Sequence, residues 1–124
     1  MSAEWVILSG QHVDAVAVLS GAAEVDPDIG VRQLWDGDAL QLVDAGGVVL
    51  LTLFQSRRLE STVDAERLLG RPLPRPLPEG DERLWWTEIH AAAQPPFRGT
   101  AEQIVRNTAD AAGGTAVSRA AAGH

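Results

Sequence analysis

The chain is 124 residues long, 45% hydrophobic and 22% charged, with a formal net charge of −7 at neutral pH. That length suits one domain that buries roughly two-thirds of its unfolded surface, and the apolar content excludes wholesale disorder. Cysteine is absent, which excludes disulfides, thiolate nucleophiles, zinc–thiolate sites and iron–sulfur clusters together.

All ten basic residues are arginine, so no lysine is present for Schiff-base chemistry. Residues 1–31 hold five acidic side chains and no Lys or Arg, a poor match to a phosphate backbone, and a nucleic-acid partner is not expected. The densest apolar run, residues 48–54, falls far short of the roughly 20 residues that span a bilayer. The first residues lack a basic region, and Glu4 and Asp14 interrupt any signal-like apolar stretch. The expectation is a cytoplasmic protein without membrane contact, and the Arg-for-Lys and Ala-rich bias suits a GC-rich bacterial coding genome.

Residues 4–9 (Glu-Trp-Val-Ile-Leu-Ser) are β-branched and apolar and close on Gly10, which predicts a buried strand. In residues 11–20, Val13, Val16 and Leu19 fall at helical spacing, with Ser9 as cap and Gly21 as the left-handed stop. The competing reading of this stretch is a strand, since Val16 and Val18 alternate with small residues. Residues 22–30 read as a loop. Two turn signals, Asp36-Gly37-Asp38 and Asp44-Ala45-Gly46-Gly47, divide residues 31–54 into a three-stranded meander. Its first strand sets Val31, Gln33 and Trp35 on one side and Arg32 and Leu34 on the other. The run 48–54 has no polar face and reads as a central strand covered on both sides, by this chain or by a partner subunit.

Residues 64–69 make a short helix capped by Ser61 or Thr62 and stopped at Gly70. Residues 71–78 (Arg-Pro-Leu-Pro-Arg-Pro-Leu-Pro) cannot pair as a strand and read as a stiff surface connector, or as a proline-rich docking segment with imperfect spacing. Residues 83–91 form another strand, with Trp85, Thr87 and Ile89 on one face and Trp86, Glu88 and His90 on the other. A last helix starts at Thr100 with Gln103 completing a capping box, and Ala101, Ile104, Val105, Thr108 and Ala112 form its apolar stripe.

This order predicts an α+β two-layer sandwich: a mostly antiparallel sheet of about five strands (β-α-β-β-β-α-β-α) with the helices on one face. Residues 1–114 make that single domain and residues 115–124 a flexible C-terminal tail, since Ala, Ser and Arg supply little apolar bulk.

No nucleophile–base–orienter set, metal quartet or cofactor motif is present, so no cofactor or metal is expected, and the balance favours a protein without catalytic activity. Glu88 and His90 share a strand face and could serve one proton-transfer or ligand site; two ligands without a third make no metal centre, and a solvated polar face of an outer strand is the favoured reading. Ser9 and Gly10 lead toward a helix N-terminus, where backbone N–H groups could receive an anion, or Ser9 is simply the cap. Pairs such as Asp26 and Asp28, or Asp36 and Asp38, are turn chemistry rather than a calcium loop.

The four tryptophans stand out in a chain with two Phe and no Tyr. Trp85 and Trp86 point to opposite faces of one strand, so one of them should lie near a surface or interface; the competing reading packs Trp86 under the helices and half-covers Trp85 with the proline segment. The leading expectation is a non-catalytic protein-binding or self-associating module, adaptor-, chaperone- or immunity-like in size and acidity. It would form a homodimer or hold a partner protein through an exposed aromatic sheet face, with Trp86, Trp85, Arg83 and Phe54 as the candidate interface residues. The alternative is a small-molecule binder or minor enzyme with a pocket between sheet and helices, using Glu88, His90, Ser9 and Gly10.

Overall fold

The computed structural model describes residues 2–70 and 84–119. It is an α+β fold in the order β1 (Ser2–Ser9), α1 (Ala15–Val25), β2 (Gly30–Leu34), β3 (Ala39–Val43), β4 (Val49–Phe54), β5 (Arg57–Leu59), α2 (Thr62–Leu69), β6 (Leu84–Ala92), α3 (Phe97–Ala111) and β7 (Gly114–Ser118). All seven strands join one antiparallel sheet ordered β2-β3-β4-β6-β1-β7, with β5 also paired to β6. Among the described residues, no helix is long and apolar enough to cross a membrane.

The sheet has two more strands than the five expected from the sequence, and each addition has a physical reason. Strand β5 lies in a polar stretch with no apolar period. It is held by buried hydrogen bonding at its start, where Ser56 Oγ accepts the Val13 N–H at 3.0 Å and lies 2.6 Å from Thr87 Oγ1. Strand β7 (Gly114–Ser118) takes residues 115–118 out of the expected tail. Pairing along β1 satisfies its backbone, so only Val117 has to be buried, against Val6. At its first residue, a Cβ on Gly114 would collide with the Leu8 carbonyl oxygen, so this close approach requires glycine.

The helices occupy both faces rather than one. Trp5 and Ile7 of β1 point into the larger core under α1 and α3, with Leu42, Leu51, Leu53 and Ile89 from neighbouring strands. Val6 and Leu8 point the other way, into a second cluster with Ala65 and Leu69 of α2, Leu84 and Trp86 of β6, and Val117. Period-two alternation thus buries β1 on both sides. Burial of side chains of this size stabilises by about 1.5–3 kcal/mol each.

Helix α1 differs most from its sequence reading. It starts at Ala15, because Asp14 sits in extended conformation and its Oδ1 accepts the Ala17 N–H at 3.0 Å. It then runs through Gly21 to Val25. Gly21 is not a stop but the closest approach to α3: an added Cβ would lie 2.9 Å from Thr108 N and Oγ1, and Asn107 Nδ2 donates to the Gly21 carbonyl at 3.1 Å. Helix α3 starts three residues before Thr100, with the Phe97 and Arg98 N–H groups both donating to the Gln94 carbonyl. Gln103 spends its amide on Asn107 instead of closing a capping box. The predicted stripe Ala101, Ile104, Val105, Thr108 and Ala112 is buried throughout. Helix α2 matches expectation, with Ser61 Oγ accepting the Asp64 N–H and Gly70 in the left-handed C-terminal position.

Two glycine substitutions separate packing from propensity. Gly21→Ala should lower stability by about 1–3 kcal/mol through overpacking against α3, despite the better helix former. Gly99→Ala, where an added Cβ meets nothing within 4 Å, should raise it by about 0.4–1 kcal/mol. Denaturant unfolding of both variants reads the signs directly.

Candidate functional site

The sheet face opposite α1 and α3 divides into two halves. One half is closed by α2 and contains Trp86, which is 1% exposed and therefore belongs to the core, not to an interface. Its indole Nε1 donates to Glu88 Oε2 at 3.0 Å. The same oxygen receives Arg57 from β5 at 3.4 Å and lies 3.9 Å from Nη1 of Arg119, just past β7. The Arg119 guanidinium also lies 5.6 Å from the centroid of the Trp86 ring. Glu88 is thus a tie between β5, β6 and the end of β7, and its carboxylate is occupied by the protein itself.

The other half carries no helix among the described residues. Its polar side chains form a row in register across five strands: Arg32 on β2 opposite Gln41 on β3, Gln41 opposite Thr52 on β4, Thr52 opposite His90 on β6, and His90 opposite Glu4 on β1. At about 4.8 Å per strand the row is about 19 Å wide, with a cation at one end and an anion at the other. Arg32 Nε donates to Gln41 Oε1 at 3.1 Å, so its guanidinium lies along the row.

Beside the row runs a chain of rings. Phe54 meets His90 edge-on at 5.0 Å between centroids, and Trp35 stacks on Phe54 at 6.4 Å with 17° between planes. Trp35 remains 65% exposed. The sequence placed it on the face of Val31 and Gln33; the structure puts it on the opposite one. Trp35, Asp36 and Gly37 all have positive φ (51°, 56° and 96°), and this left-handed turn swings the indole out of the strand's alternation onto Phe54. Left-handed geometry costs a non-glycine residue about 1–2 kcal/mol.

The remaining sequence candidates are scattered. Trp85 is half-buried on the α1 side of β6, edge-on to His12 at 5.2 Å. Arg83 and residues 71–78 lie outside the described residues. Ser9 is fully buried and donates to the Gln11 carbonyl at 2.7 Å, and Gly10 follows it in the loop. Neither reaches the N-terminus of α1, which begins at Ala15 with an aspartate already bound to it. Glu88 and His90 do share a face, as expected, but only His90 is free of ion pairs among the described residues; it lines a groove of about 420 Å³ with Val49, Gln94 and Phe97 where β4 and β6 diverge. A smaller cavity of about 200 Å³ lies elsewhere, between His12, Asp14, Gln33, Asp38 and Gln55. The Asp26 side chain accepts the Asp28 N–H at 2.9 Å, turn chemistry as read from sequence. No group of three or more His, Asp or Glu among the described residues is placed to hold a metal ion.

What sequence reasoning missed is Trp35, although the Asp36-Gly37 turn signal beside it was the available clue. The polar row had no sequence signal, because its members are brought into line only by strand order. No family model, no curated protein and no solved structure matches the chain.

The tie at Glu88 is open to a direct test. Glu88→Ala strands the buried Trp86 N–H and should cost about 1–3 kcal/mol, whereas Glu88→Gln keeps an acceptor and should cost under about 1 kcal/mol, since the Arg57 pair is largely exposed. Thermal unfolding of the two variants distinguishes these magnitudes.

Proposed function

We propose that the chain is a non-catalytic protein-binding or self-associating module whose contact surface is the part of the sheet that has no helix over it among the described residues, centred on Trp35, Phe54 and His90. The observation that carries this reading is the left-handed turn at Trp35. The backbone takes up a strained conformation there, and the result is an indole 65% exposed beside two further rings and a row of polar groups. Strain of this kind persists where it serves a site. Exposed aromatic anchors within a polar frame are typical of protein contacts, in which a few Trp, Tyr and Arg side chains supply most of the binding free energy. The contact centre differs from the one expected at Trp85 and Trp86: of the described members of that set, Phe54 lies on this surface and Trp85 and Trp86 do not.

The small-molecule alternative rests on less. The Glu88 carboxylate it needs is engaged by Trp86, Arg57 and Arg119, and the cavity between sheet and helices near His12 contains none of its residues.

Trp35→Gly tests the proposal with folding controlled. Glycine relieves the positive φ while the Phe54 stack is lost, so stability should stay within about 1 kcal/mol of wild type. Tagged wild-type bait in extract of its native cell should retain a protein, the untagged chain itself included, that Trp35→Gly loses and that Val63→Ser on the exposed side of α2 retains. Identical recovery by wild type and Trp35→Gly would overturn the reading.

A further inference from the structure

Resting on that reading, we propose that the occupant of the open face is a second copy of this chain, packed sheet to sheet about a two-fold axis that runs along β4. The polar row decides the geometry. Its order from one edge inward is Arg32, Gln41, Thr52, His90, Glu4, and Thr52 on β4 is its midpoint. A two-fold parallel to the strands through that midpoint reverses the row. Arg32 then faces the partner's Glu4, Gln41 faces the partner's His90, and Thr52 faces the partner's Thr52. The opposite pairing follows by symmetry, as an isologous contact requires. A two-fold along the row itself would instead set arginine against arginine and glutamate against glutamate, which charge repulsion disfavours.

Three further observations agree with this arrangement. Arg32 and Glu4 are both exposed at the ends of the row, so their charges are available to a facing surface. Phe54 lies on β4, beside the axis, so the half-buried rings of the two copies would meet at the centre while the charges form the rim. Each copy carries a net charge of −7, so two copies repel at long range, and complementarity has to be local. The row is one place where the described face offers a cation for each anion. Face-to-face packing about 10 Å apart leaves long side chains room to reach across, as in two-sheet sandwiches. A footprint about 19 Å wide lies at the small end of stable interfaces, so the dimer should be concentration-dependent.

Sedimentation equilibrium on the purified full chain, from about 10 μM to about 1 mM, reads the association. Wild type should move from the mass of one chain toward two. Arg32→Glu and Glu4→Arg each place like charges at both ends of the contact and should weaken association at least about tenfold, with circular dichroism unchanged because both sites are exposed. An equimolar mixture of the two variants restores both attractions and should recover the dimer; the two-fold along the row differs in that its wild-type contact already sets like charges together, so neither substitution alone would weaken it. A wild-type chain that stays at single-chain mass throughout overturns the proposal. So does a dimer indifferent to either substitution, or a mixture that fails to recover. If the chain is monomeric while the Trp35-dependent capture of a different protein persists, the second copy is excluded and the association reading stands. If neither is seen, both fall.

Discussion

Strand β1 is buried from both sides, and that constraint organises the rest of the molecule. Four consecutive residues, Trp5 to Leu8, alternate between two hydrophobic clusters. A strand in that position needs a paired strand at each edge and a cover on each face. Strands β6 and β7 supply the edges, α1 and α3 cover one face, and α2 covers part of the other. Helix α2 packs over the Val6, Leu8, Leu84 and Trp86 end of β1 and β6, beside β5, so the stretch of the same face that carries Arg32, Gln41, Thr52, His90 and Glu4 has no helix over it among the described residues.

The two halves of that face handle polar groups differently. Near α2, Glu88 accepts from a buried indole and pairs with two arginines, so a charged residue on a mostly apolar surface is satisfied within the chain. Buried or half-buried acceptors left unpaired are costly, and here none of the described buried side-chain polar atoms is. On the open half, the charges at the ends of the Arg32–Glu4 row stand about four strand spacings apart, too far to pair with one another. The same sheet thus contains a closed electrostatic unit and an open one, and the open one is where the strained turn delivers Trp35.

Much of the architecture was legible because it rests on local periodicity. The meander of β2, β3 and β4 followed from two turn signals, the face assignments along β6 from strict alternation, and the buried stripe of α3 from its 3.6-residue spacing. The misreadings share one cause. Gly21 looked like a helix stop, Trp35 like the next residue of a strand and residues 115–118 like a tail, because in each case the deciding partner was distant in sequence: Thr108 for Gly21, Phe54 for Trp35, Leu8 and Val6 for β7. For Trp86 the sequence left an interface position and a place under the helices open, and the packing of α2 decides for the second.

The residues alone determined the α+β class, the antiparallel pairing, the absence of thiol and lysine chemistry, and the concentration of interest on a few aromatic side chains. Those properties depend on composition and on spacings of two to four residues, which the chain carries locally. Tertiary structure decided which tryptophan is exposed, which carboxylate is already engaged, and which polar residues fall into one row. Each of these depends on strand order and on which face a helix covers, and such choices are made by the burial of surfaces far apart in the chain.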